Sequence, residues 1–304
     1  MKLKVAVLGE KPQGATWLKY LIKSNLFDIV AGVPRISDKN IWWDCETYAD
    51  ILKANSIPIV KRRDLLEIDY DIIWSQMYGF IIESDLIRKA KIALNLHESP
   101  LPRYRGCNGY SHAILENDNT YGTTLHVLDP ELDNGDIIDQ ELFQIEPDDT
   151  VKELYNKTMN VSNIIFKRNV GKIAKMDIKT KSLDTTGQPI RQRNSLKNLK
   201  IITESEYSDI ANIYRRIRAF DFTPFEPAFL IVKDVKYYLF VNNSLGRLYH
   251  VLPKHSFSGN IYDMCIKYSS FIVSDIKREI VIMKEEIYDQ YYRNFKPEYS
   301  WEKK

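Results

Sequence analysis

The sequence predicts an α/β protein: a Rossmann-like, mostly parallel sheet with helices on its faces, followed by a smaller β-rich C-terminal domain. Three observations carry this. Short apolar runs suited to strands buried on both faces recur at 3–8, 27–33, 57–60, 71–77 and 92–97, separated mostly by helical patterns. A long helical pattern at 149–176 closes the series, with Val151, Leu154, Tyr155, Thr158 and Met159 at spacings of three and four. Beyond residue 200 the chain turns to aromatic and β-branched segments such as YYLFV and FIVSD.

LKVAVL (3–8) is the first strand, and Gly9 turns the chain into a helix carrying Trp17, Leu18, Leu21 and Ile22. The turn GEKPQG (9–14) lies where a dinucleotide fingerprint would, but it is not GxGxxG, which disfavours NAD. Either its helix start receives an anion, or it is a plain connection in which Gly14 eases close packing. FDIVAGV (27–33), a helical stretch at 43–54, IPIV (57–60) and DIIWSQM (71–77) continue the alternation. A helix at 83–90 leads to strand IALNLH (92–97), a loop at 98–107, a helix at 109–116, and strands at 123–128 and 137–145. Residues 177–200 lose periodicity and gather Gly187, Pro189 and many basic and polar residues, a connection draped on the first domain. The domains are thus 1–200 and 201–304. The second opens with a helix at 204–219 and continues with strand-like runs at 228–233, 236–241, 261–267, 271–275 and 279–283.

Composition narrows the function classes. A chain of 304 residues with 44% apolar and 28% charged residues is ordinary for a soluble globular protein. With 43 Lys and Arg against 41 Asp and Glu, nothing demands a nucleic acid or an acidic membrane surface. Cys45, Cys107 and Cys265 are odd in number and lack CxxC spacing, which argues against a zinc site or redox pair and fits a reducing cytoplasm. No segment reaches the apolar length of a membrane span.

The most informative stretch is LNLHESPLPRYRG (94–106). Asn95 and His97 stand two apart at the end of an apolar strand, so alternation puts both on one face at the carboxyl edge of the sheet, where open α/β sheets bind ligands. Pro100 and Pro102 stiffen the following loop, and Arg103, Tyr104 and Arg105 give it donors suited to phosphate. LDNGD (132–136), read alone, is an acidic turn between two strands.

Together, the Asn-x-His strand end, the proline-stiffened loop ending in Arg-Gly and the acidic turn resemble the family of 10-formyltetrahydrofolate-dependent formyltransferases. The likeness runs to about residue 200 and resumes at YRRIRAFDFTPFEPAF (214–229). Pro100 departs from the leucine many members carry there. The resemblance implies the formyltransferase fold and a catalytic trio at Asn95, His97 and Asp133. A neutral His97 would take the proton an attacking amine loses, Asp133 would orient the ring, and Asn95 would donate to the oxyanion. No metal is needed. The resemblance also implies a folate cleft between Met77–Ile82 and the acidic turn. Its contacts would be Met77, Tyr78, Gly79, Phe80, Ile81, Ile82 and Asp136.

The segment 97–115 is more similar to the nucleotide-sugar N-formyltransferase branch than to methionyl-tRNA formyltransferase, the alternative reading. From 201 to 304 there are 15 Lys and Arg against 14 Asp and Glu, thin for a surface that must hold transfer RNA. The expected acceptor is a dTDP-linked amino-dideoxy sugar for O-antigen synthesis, best a 4-amino-4,6-dideoxyglucose and next its 3-amino isomer. Arg103, Tyr104, Arg105, Arg215, Arg218 and Phe222 are the candidate substrate contacts. The branch implies a cytoplasmic homodimer with neither nucleic acid nor membrane as partner. A non-catalytic nucleotide-sugar binder is the third reading, and the intact trio speaks against it.

Overall fold

The computed structural model describes residues 1–35, 46–222, 225–241, 252–275 and 277–291. Its first sheet has the order β2-β1-β3-β4-β5-β6. β1 (Leu3–Gly9), β2 (Phe27–Pro34), β3 (Ile72–Gln76) and β4 (Ile92–His97) are parallel, while β5 (Thr120–Val127) and β6 (Ile137–Gln144) are antiparallel. The central strands are hydrophobic on both sides because each face is covered. Val5, Val7, Trp74, Leu94 and Leu96 pack with α1 (Lys11–Ser24), α2 (Tyr48–Ala54) and α5 (Val151–Ala174). Ala6, Leu8, Ile73 and Ala93 pack on the other side with α3 (Ser84–Lys89) and the short helical turn Arg62–Glu67. β2 lies on one side of β1 and β3 on the other, so the chain reverses direction across the sheet between them. The loops leaving β1 and β3 therefore part at their carboxyl ends, where a crevice opens.

At the start of α1, Gly14 does ease close packing: a Cβ there would stand 2.5 Å from the Gln76 carbonyl oxygen. Two expected strands are absent. IPIV at 57–60 makes a single bridge, Ile59 opposite Gly32, because Pro58 has no N–H to extend the ladder. Residues 261–267 form a helix instead, α7 (Ile261–Lys267), whose Asn260 side chain accepts from the Tyr262 N–H. Its buried residues, Ile261, Met264 and Cys265, recur at helical spacing, which the aromatic flanks obscured. Of the helix expected at 43–54, residues 43–45, with Cys45, lie outside the described residues, as do 292–304 at the end of the second unit.

α4 (Gly109–Leu115) and α6 (Ile210–Phe220) pack together and join the two halves. The second sheet runs β7-β8-β11-β10-β9, with β7 (Ala228–Val232), β8 (Val235–Val241), β9 (Lys254–Ser256), β10 (Ser270–Ser274) and β11 (Glu279–Lys284). Lys233 and Asp234, both at positive φ, make the tight turn between β7 and β8 that matches the sheet's twist. One face carries Leu230, Leu239, Phe271 and Ile282 into a core shared with Tyr104, Tyr121, Val151 and Leu154 of the first half. The opposite face, with Phe240 and Val281, is covered by Ile287 and Tyr288 of α8 (Glu285–Tyr291). Among the described residues, no helix is long and apolar enough to cross a membrane.

Candidate active site

At the end of β4 the chain leaves the sheet with two polar side chains on one face. Antiparallel register sets Asn95 opposite His126 and His97 opposite Thr124, so each meets its neighbour across the ladder. The Asn95 amide nitrogen lies 3.1 Å from His126 Nε2, and His126 Nδ1 lies 2.8 Å from the Val127 carbonyl. That pattern fixes the proton on Nδ1 and makes Nε2 an acceptor for the Asn95 amide. Full burial lowers the His126 pKa to about 4, against a weaker opposing pull from Asp133. The ring is therefore neutral at pH 7, as an acceptor must be.

His97 Nε2 lies 3.2 Å from the Tyr104 carbonyl, and its Nδ1 is 3.6 Å from Asp133 Oδ1. The carboxylate thus stands beside the ring, just beyond hydrogen-bond distance. Asp133 is itself held: its Oδ2 accepts from the Gly106 N–H at 2.8 Å. Its turn is pressed onto β5, since a Cβ on Gly135 would come within 1.9 Å of the Val127 carbonyl oxygen. Arg105 braces the same turn from the other side, donating to the Leu132 carbonyl from Nε at 3.1 Å and from Nη2 at 2.6 Å, and pairing with Glu131. The structure thus brings Asn95, His97 and Asp133 together around one point and adds His126 and Arg105 as supports.

Asn95 and His97 line a cleft of about 720 Å³, with Asp133, His126 and Arg105 buried behind them. Lys11, Arg35, Met77, Tyr78 and Gly79 also line it, as do Phe220, Phe222 and Phe225. Of the expected folate contacts, Met77, Tyr78 and Gly79 lie on the wall. Phe80, Ile81, Ile82 and Asp136 do not: the half-exposed Phe80 ring stacks under Arg35, Ile81 is exposed, Ile82 is in the core, and Asp136 takes the Thr180 hydroxyl outside the cleft. Arg35 pairs with Glu10 at 3.0 Å.

Of the expected substrate contacts, Tyr104 and Phe222 line the cleft and the arginines do not. Arg103 pairs with Asp118. Arg105, buried, is committed to the acidic turn. Arg215 and Arg218 border a separate depression of about 540 Å³, where Arg218 donates to the Asp149 and Glu146 carbonyls. Besides Lys11 and Arg35, the cleft is reached by Arg193, Lys197 and Lys200 from the connection at 177–200. This segment is strapped across the site. Arg191 exchanges backbone hydrogen bonds with Arg105 and Cys107, His112 Nε2 meets the Ser195 hydroxyl at 2.8 Å, and Arg193 reaches the Gly79 carbonyl at 3.3 Å.

Residues 57–170, which hold β3 to β6, Asn95, His97 and Asp133, match the formyl transferase family. The chain is 32% identical over 189 residues to the bifunctional polymyxin resistance protein ArnA of Wigglesworthia glossinidia brevipalpis, spanning 58% of this chain and 28% of that protein. It is 26% identical over 242 residues to a methionyl-tRNA formyltransferase of Lactobacillus delbrueckii subsp. bulgaricus, 75% of each chain. In fold it resembles the N-formyltransferase of Helicobacter canadensis, solved with folinic acid and dTDP-3-aminofucose. There the TM-score is 0.68 at 24% identity, over 93% of this chain and 99% of that one.

Proposed function

We propose that the protein transfers a formyl group from 10-formyltetrahydrofolate to the amine of a dTDP-linked amino-dideoxy sugar. The observation that carries this is a cleft lined by Asn95 and His97, with Asp133 3.6 Å behind the His97 ring, whose other walls hold both aromatic rings and cations. Folate supplies the formyl carbon. His97 accepts the proton lost by the attacking amine and returns it to the departing nitrogen, while Asp133 steadies the charged ring. The Asn95 amide has two N–H groups: one is held by His126, and the other meets the oxygen that gains negative charge, a contact worth about 3 kcal/mol. Met77 and Tyr78, with Gly79 close against Arg35, fit the donor end. Phe222 and Phe225 with Lys197 and Lys200 fit a base and diphosphate.

The Helicobacter canadensis enzyme and its bound molecules support the sugar as acceptor. The lactobacillar relative keeps methionyl-tRNA as the second reading. Mass spectrometry on the protein with 10-formyltetrahydrofolate and a panel of dTDP- and UDP-linked 3-amino and 4-amino sugars is the test. A gain of one formyl group on one sugar names the acceptor. No product, with formylation of charged initiator transfer RNA instead, overturns the reading. The same reading makes the chain a cytoplasmic homodimer serving lipopolysaccharide O-antigen synthesis, and light scattering tests the dimer.

A further inference from the structure

The end of β4 presents a second polar side chain that the trio does not use. Glu98 follows His97, and strand alternation turns it to the opposite side of the strand end. There it lies among Tyr110 of α4, Lys11 of α1 and His97. Its Oε1 and the Tyr110 hydroxyl are shut from solvent, and neither makes a well-formed hydrogen bond among the described residues. The two groups are near enough for the Tyr110 hydroxyl to favour the carboxylate as a donor does, and the carboxylate keeps acceptor sites for a further donor. A buried carboxyl oxygen without a well-formed partner is tolerated where a ligand supplies one.

The position says which ligand. Glu98 and Tyr110 border the cleft, and from Tyr110 a run of ring contacts leads through Tyr155 to Phe222 and Phe225, at centroid distances of 5.9, 5.3 and 5.5 Å. That run leads from the end of β4 to the segment that enters the second half of the chain. Burial raises the Glu98 carboxyl above its usual range, while Lys11, the Tyr110 hydroxyl and His97 pull it down. A further donor beside it would favour its charged form.

We infer that Glu98, with the Tyr110 hydroxyl, is a specificity determinant that holds the acceptor sugar by a donor group, its amine or a neighbouring hydroxyl. The inference rests on the sugar reading above. It makes Glu98 the residue that turns the reacting carbon of the ring toward His97, and so the selector among isomeric amino sugars.

Steady-state kinetics on Glu98→Gln, Glu98→Met and Tyr110→Phe, with acceptor and folate varied separately, tests it. Losing a charge-assisted hydrogen bond raises the acceptor KM about tenfold in Glu98→Gln and more in Glu98→Met, with a larger effect on acceptor KM than on kcat or folate KM. Tyr110→Phe raises it by a smaller factor. Calorimetric binding of the amino sugar and of its hydroxyl analogue then separates the donors: a loss confined to the amino sugar assigns the amine, and an equal loss assigns a ring hydroxyl. Acceptor KM within twofold of wild type in both Glu98→Gln and Tyr110→Phe overturns the inference and leaves the sugar reading standing. A wild-type protein that formylates no amino sugar overturns both.

Discussion

Replacing His126 with Leu isolates what orientation of Asn95 is worth. The substitution keeps volume roughly constant but removes the Nε2 acceptor at 3.1 Å from the Asn95 amide and the Nδ1 donor at 2.8 Å from the Val127 carbonyl. Asn95 then turns among its rotamers. A correctly placed oxyanion donor contributes about 3 kcal/mol, so kcat falls by about 10-fold to 100-fold while both KM values stay near wild type. His126→Gln, which keeps an acceptor, recovers much of the loss. The same residue has a stability signature. Its folded pKa of about 4 lies below the unfolded value near 6.5, so the unfolded chain binds the proton first as pH falls. The stability this contributes is whole above pH 6.5 and is lost between pH 6.5 and 4, to a depth of about 3 kcal/mol. Urea unfolding of His126→Leu should accordingly show a shallower loss of stability over that window. The assay is single-turnover formyl transfer at saturating substrates, with urea midpoints at pH 7.5 and 5. A kcat within twofold of wild type would refute the claim that His126 sets the oxyanion donor.

Gly135→Ala should drive the acidic turn off β5, because the new methyl would stand 1.9 Å from the Val127 carbonyl oxygen; kcat and melting temperature should both fall, and an unchanged pair would show that the turn is free to shift. Arg105→Leu removes the guanidinium that holds the Leu132 carbonyl and pairs with Glu131, so kcat should drop about tenfold with folate binding by titration little changed. Lys197→Ala should raise the acceptor KM several-fold and flatten its dependence on salt, since an exposed cation at the cleft works through screened attraction; a KM independent of salt in the wild type would refute this.

How much of this was legible depended on range. β4 is observed at 92–97, the predicted bounds, and alternation placed Asn95 and His97 on its edge, because both signals lie within six residues. His126 was missed because its partnership with Asn95 is made by antiparallel register across 31 residues of sequence, which local pattern does not encode. The arginines were misplaced for a related reason. A loop arginine looks alike whether it faces a phosphate or, as Arg105 and Arg218 do, spends its donors on backbone carbonyls. The strap cations Arg193 and Lys197 sat in the segment with least periodicity, where only the fold of the chain over the cleft gives them a target.

The shared core has a consequence for anyone who would re-engineer the acceptor. Tyr104, Tyr121, Val151 and Leu154 lie in one apolar cluster with Ile217, Leu239 and Phe271, so the seam between the halves is as dry as the middle of either. Grafting residues 201–291 onto another enzyme's catalytic half would tear that cluster rather than swap a module. A working chimaera must cross over upstream of α4, carrying the Tyr104 loop, α4 and α5 with the transplanted sheet, and exchange of acceptor preference is then inseparable from exchange of the loop that holds His97 in place.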